Sequence, residues 1–121
     1  MFDVTLPRDS LAEVQVIVTS TEEVLLPETI LTMGSLMGQP KALRLTDVIY
    51  VVEGGTKVYL WWDDDAGDTL ILPLEGRGRL DLSPFSGIPN PRKEGFTGHV
   101  QVSSSGHGSF VLCLEFAKLQ H

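Results

Sequence analysis

The chain has 121 residues, the size of one domain that can bury its own core without a disulfide or a metal. Its formal charge is −7, with thirteen acids against four bases in residues 1–75 and three against five in residues 76–121; an acidic chain without a basic stripe argues against sequence-independent nucleic-acid binding. The single Cys113 excludes an intrachain disulfide and fits a reducing compartment, no apolar run approaches the roughly 20 residues of a membrane span, and Met1–Arg8 lacks the basic start and apolar core of a signal peptide.

Residues 1–11 are expected as an N-terminal arm, because Pro7 and the Arg8-Asp9-Ser10 cluster interrupt any regular pattern. Residues 12–121 are expected as one β domain. Val14, Val16 and Val18 alternate with Glu13, Gln15 and Thr19, and the β-branched content favours a strand. Thr21-Glu22-Glu23 could open a short helical turn that Pro27 limits. Glu28–Met33 reads as a short strand, and Met33–Lys41, with Gly34, Gly38 and Pro40, as a loop carrying Leu36 and Met37.

Leu43–Val52 is expected to put Leu43, Leu45, Ile49 and Val51 on one face, with a bulge near Asp47. Glu53-Gly54-Gly55-Thr56 is expected as a hairpin turn. Lys57–Trp62 is apolar on both faces, as a central strand would be: Val58, Leu60 and Trp62 on one side, Tyr59 and Trp61 on the other. After Asp63–Asp68 comes Thr69–Leu74, placed at an edge by Pro73, with Leu70, Leu72 and Leu74 inward. Arg79–Leu82 follows. Ser83–Phe96, with Pro84, Pro89 and Pro91, reads as stiffened coil able to cross between sheets. A last hairpin joins Thr97–Ser103 to Ser109–Lys118, whose Phe110, Leu112, Leu114 and Phe116 share a face. The sum is an all-β, antiparallel β-sandwich or jelly-roll-like fold of about seven to eight strands.

Reactive chemistry is sparse. Asp63, Asp64, Asp65 and Asp68 with Gly67 resemble a calcium loop, but the spacing is not that of an EF-hand, and a solvated acidic turn is the expectation. His99, His107 and His121 have no reason to converge on zinc. Cys113 sits in an apolar run, where a buried, inert thiol is the expectation; it could meet His99 across the last hairpin, but with no orienting acid or oxyanion loop such a pair is not expected to be a nucleophile and base. Tyr59, Trp61 and Trp62 could stack on a sugar, although packing is the commoner use of such rings.

The succession Thr46-Asp47-Val48-Ile49-Tyr50, Val58-Tyr59-Leu60-Trp61-Trp62-Asp63 and Leu74-Glu75-Gly76-Arg77-Gly78, followed by Pro84–Pro91 and Thr97-Gly98-His99-Val100, resembles small virion proteins of tailed bacteriophages. The likeness spans residues 43–118. It implies a β-sandwich with no catalytic residues and no cofactor, sitting on the virion after synthesis in the host cytoplasm. The expected role is capsid decoration or cement, with the major capsid protein and sister copies as partners and a trimer as a fitting assembly. The residues expected at its interfaces are Phe2, Leu6, Leu36, Met37, Tyr59 and Trp61. A neck or tail component, a carbohydrate- or cell-surface-binding module, and a small cupin-like enzyme are the alternatives. The last needs a His/Glu metal cluster that the sequence does not offer.

Overall fold

The computed structural model describes residues 2–64, 68–85, 87–89 and 96–119. The alternating runs become ten strands: β1 (Phe2–Asp9), β2 (Glu13–Ser20), β3 (Glu28–Leu31), β4 (Ala42–Val52), β5 (Lys57–Asp64), β6 (Thr69–Leu74), β7 (Arg77–Asp81), β8 (Ile88–Pro89), β9 (Phe96–Ser105) and β10 (Phe110–Leu119). They form two antiparallel sheets in a jelly-roll-like sandwich. Sheet A has the order β1-β2-β10-β4-β7, with β8 also paired to β4, and sheet B has the order β3-β9-β5-β6.

Both inner faces are built from one phase of each alternation. Val14, Val16 and Val18, then Phe110, Leu112, Leu114 and Phe116, line sheet A; Val58, Leu60, Trp62, Val100 and Val102 line sheet B, all at most 2% exposed. Trp62 meets Phe116 edge-on, centroids 6.2 Å apart at 65°, an arrangement that aromatic quadrupoles favour. Val24 and Leu36 close the ends of this core from loops.

Several expectations change. Residues 2–9 are not an arm: they pair with β2 as the edge strand of sheet A, and Phe2 and Val4 pack half-buried against the core. Pro7 is accommodated by a register shift between Thr5 and Arg8, a place where a missing amide donor costs little. The described residues form ten strands rather than seven or eight, because β1 and the two-residue β8 add to the count. No helical turn forms at Thr21–Glu23, where Ser20 bends the chain by bonding Glu22.

Two expected hairpins are corners instead. Strands β4 and β10 lie in sheet A while β5 and β9 lie in sheet B, so Glu53–Thr56 and Gly106–Ser109 carry the chain from one layer to the other. Adjacent antiparallel pairing is confined to β1–β2 and β5–β6. The bulge foreseen near Asp47 is present, where the β4–β10 register shifts between Glu115 and Phe116. It inverts the rest of β4. Leu43 and Leu45 point inward, but beyond the bulge Val48 and Val52 are buried, while Ile49 and Val51 are 46% and 49% exposed. A shift between Leu60 and Trp61 does the same to β6, so Leu74 is buried and Leu70 stands beside Trp61 on the outside.

The two ends of the sandwich are tied differently. At one, the corners interlock through glycines: Gly108 N–H donates to Thr56 Oγ1 at 2.8 Å, Gly106 N–H to Glu23 Oε2 at 2.6 Å, and Val24 N–H to Ser104 Oγ at 2.9 Å. At the other end, Lys118 occupies the next inward position after Phe116, and its side chain is fully buried. Its ammonium group, with three N–H donors, meets the Asp9 carboxylate, the Ser10 carbonyl oxygen at 2.5 Å and the Met37 carbonyl oxygen at 2.8 Å. Asp9 in turn accepts the Met37 N–H at 3.0 Å.

Candidate docking surfaces

No group of three or more His, Cys, Asp or Glu side chains is placed to hold a metal among the described residues. Cys113 and His99 do not meet. Once β9 and β10 separate into different sheets, His99 lies opposite Asp63 in sheet B, while Cys113 stands half-exposed on the outside of sheet A between Ile17 and Ile49. Asp65, Gly67 and His121 lie outside the described residues, as do Met1, Ala66, Ser86, Asn90–Gly95 and Gln120. Asp68 is exposed, and the Gln101 amide, turned to donate, reaches its two carboxylate oxygens at 3.2 and 3.0 Å. His107 is in an exposed turn. No helix among the described residues is long and apolar enough to cross a membrane.

Three surfaces stand out among the described residues. The first is the end held by Lys118. Leu11, in the β1–β2 turn, is 66% exposed, and Met37 is 52% exposed. They flank the ammonium site: Ser10 and Met37 both give it their carbonyl oxygens. Leu6, 42% exposed in the β1 bulge, leads toward this end. Partial burial pushes the Asp9 carboxyl upward, but the hydrogen bonds from Lys118 and Met37 and the Lys118 charge outweigh it and hold the group below its ordinary value of 3.8. Of the expected interface residues here, Leu6 and Met37 are exposed. Leu36 is 3% exposed and Phe2 packs on the core, because the 3-10 turn over Met33–Ser35 folds Leu36 back under the loop.

The second surface is the outer face of sheet B. Of the three rings expected as a platform, Trp62 is buried in the core, whereas Tyr59 and Trp61 point outward together, half-buried, with centroids 6.2 Å apart and planes tilted by 40°. The Trp61 indole N–H donates to Ser103 Oγ at 2.8 Å, so its polar atom is already satisfied and its ring is left for contact. Lys57, Tyr59, Pro73, Leu74 and Glu75 line an adjoining hollow of about 450 Å³.

The third is the outer face of sheet A, a shallow groove of about 260 Å³. Ile17, Ile49 and Cys113 make its apolar floor, and Gln15, Asp47 and Glu115 one bank. Arg79 donates to both Asp47 oxygens at 3.2 and 2.9 Å, and that carboxylate pair keeps the guanidinium above its ordinary value. Arg8 pairs with Glu13 at 2.9 Å. The Glu115 carboxyl is pushed up by its hydrogen bond to Glu13, by burial, and by the nearby charges of Glu13 and Asp47, against a hydrogen bond from Gln15 that pulls it down.

Sequence reasoning missed Lys118, Leu11, Glu115 and the exposed Leu25-Leu26 pair (74% and 79%). Lys118 had a visible signal, since it continues the inward phase of Phe110–Phe116 and a lysine there demands buried acceptors. Glu115 had none, because its neighbours come from three strands remote in the chain.

No family model matches the chain, and no curated protein matches it. Among solved structures it is similar to a cupin superfamily protein from Desulfitobacterium hafniense DCB-2, at 12% identity and a TM-score of 0.39, over 98% of this chain and 78% of that one.

Proposed function

We propose that this chain is a non-enzymatic docking protein of the virion, a capsid decoration or cement protein of the tailed-bacteriophage kind. The observation that supports docking is the lysine-anchored end, where exposed Leu11 and Met37 stand on a base fixed by Lys118. Apolar side chains held rigidly lose little conformational entropy on binding, so more of the roughly 25 cal/mol per Å² of burial survives as affinity. Repetition over a shell adds avidity to a weak single contact. The major capsid protein is the partner that this reading names, and the virion is the location. The virion part rests on the sequence resemblance over residues 43–118.

Deletion of residues 1–11 is a poor test, because it removes an edge strand and Asp9 together. A Leu11→Asp/Met37→Asp double variant should melt like the wild type and fail to co-sediment with capsids. Wild-type co-sedimentation by that variant removes this end from the mechanism.

A second reading, a carbohydrate-binding sandwich, is favoured by Tyr59 and Trp61 standing side by side beside the Lys57–Glu75 hollow. Glycan-array hits lost in Trp61→Ala would establish it, and an empty array would leave the docking reading alone.

A further inference from the structure

We propose that a second copy of this chain docks on the outer face of sheet A, face to face, about a two-fold axis parallel to the strands. This inference goes beyond the virion reading and does not depend on it.

The outward residues of sheet A fall into rows that run across the strands from β1 to β7. The first row begins at Asp3, passes Thr19, Val111 and Val51, and ends at Arg77. The second begins at Thr5, passes Ile17, Cys113 and Ile49, and ends at Arg79. The third begins at Arg8, passes Gln15, Glu115 and Asp47, and ends at Asp81. The first row is therefore acidic at the β1 edge and basic at the β7 edge, and the third row is the reverse.

A two-fold axis along β10 exchanges the β1 and β7 edges and leaves each row in place. Asp3 then faces the second copy's Arg77, and Arg8 faces its Asp81. In the middle, Ile49 faces Ile17 and Val111 faces its own counterpart. Val51 and Val111 are 49% and 42% exposed, with nothing among the described residues covering them. Aligned sheets pack about 10 Å apart and cross at about 30°, an offset that long arginine side chains can span. Like charges meet at one place, where Glu115 faces itself on the axis beside Glu13 and Asp47. That row limits affinity, and it makes removal of the Glu115 charge informative.

Five strands at about 4.8 Å spacing and three rows give on the order of 500 Å² a side, below the roughly 800 Å² of a standard stable interface. The dimer should thus be weak, with dissociation in the micromolar range or above.

Sedimentation equilibrium of the full chain from about 10 μM to 1 mM tests it. Twice the monomer mass is expected at the upper end, and Glu115→Gln should shift association to several-fold lower concentration. Val111→Arg should abolish association with an unchanged melting temperature. Arg77→Asp should weaken it about tenfold, and Asp3→Arg added to Arg77→Asp should restore it, since both cross-copy pairs are then reversed together. A chain monomeric at 1 mM overturns the proposal. So does a dimer indifferent to Val111→Arg, or an Arg77→Asp defect that Asp3→Arg does not rescue.

Discussion

Replacing Asp9 with alanine isolates the part that Lys118 plays. The ammonium has three donors and three acceptors, and its side chain is inaccessible to water. Losing Asp9 leaves a buried charge facing two neutral carbonyls. Breaking a buried pair from one side costs about 3–5 kcal/mol. Because the Asp9 side chain is 27% exposed, water can partly refill its place, which sets the expectation near the lower bound, about 3 kcal/mol. Lys118→Met keeps most of the apolar stem and leaves Asp9 free to turn to solvent, so it should cost about 2 kcal/mol. The double variant no longer strands a charge, and its loss should also be about 3 kcal/mol, well short of the sum, giving a coupling of about 2 kcal/mol. Urea unfolding followed by tryptophan fluorescence measures all three. At about 4 °C per kcal/mol for a chain of this length, Asp9→Ala should melt about 12 °C low. The sign with pH is fixed as well: the folded-state value of Asp9 lies below its ordinary 3.8, so its stabilisation is complete above that value and is lost as pH falls through the lowered one. The gap between wild type and Asp9→Ala should therefore close in strong acid. Additive single losses, or an Asp9→Ala cost under about 1 kcal/mol, would refute this account of Lys118.

Glu115 titrates in the opposite sense: its folded value is raised above 4.5, so its contribution is greatest below that value and declines as pH rises through the raised one. Glu115→Gln should stabilise the monomer by about 0.5–1 kcal/mol at pH 7 and flatten the stability profile between pH 4 and 7, as chemical denaturation across pH would show. Gly106→Ala should cost about 3 kcal/mol, because its φ is +99° and a Cβ would meet the Gly55 carbonyl oxygen at 2.5 Å, whereas Gly34→Ala, with open space around it, should be near neutral by thermal melt. Leu60→Ala, at a fully buried position on an interior strand of sheet B, should cost about 2–5 kcal/mol in the same assay.

The two-layer β architecture was legible because the alternation is strict where both phases have fixed surroundings. Along β2, β5 and β10 the inward set Val14–Val18, Val58–Trp62 and Phe110–Phe116 follows directly from period two. The bulge near Asp47 was also visible, since an acid fell on an apolar phase. Its consequence was not: one inserted residue inverts every side chain after it, which turned Ile49 and Val51 outward and moved Val48 into the core. The glycine turns marked the corners but could not say whether the chain doubled back or changed sheets, because both need the same local conformations. The Lys118 end was hidden for a different reason. Its partners are Asp9 at the end of β1, Ser10 in the turn that follows and Met37 in a loop without periodicity, and their meeting depends on β10 lying beside β2.

That position of β10 has a consequence for how the chain acquires its structure. It lies between β2 and β4 and is bonded to both along nearly its whole length, yet it follows every other strand in the sequence. Until residues 110–119 are synthesised, β1–β2 and β4–β7 are two separate ribbons whose facing edges expose unpaired amides and carbonyls. The protein therefore passes through a stage in which its core is incomplete and two sheet edges are unprotected, the state most prone to pairing with other chains. Closure requires contacts across about 100 residues of sequence, which places folding among the slow, non-local class. A defect anywhere in β10 should accordingly show first as lost soluble yield, before any change in a surface could be assayed.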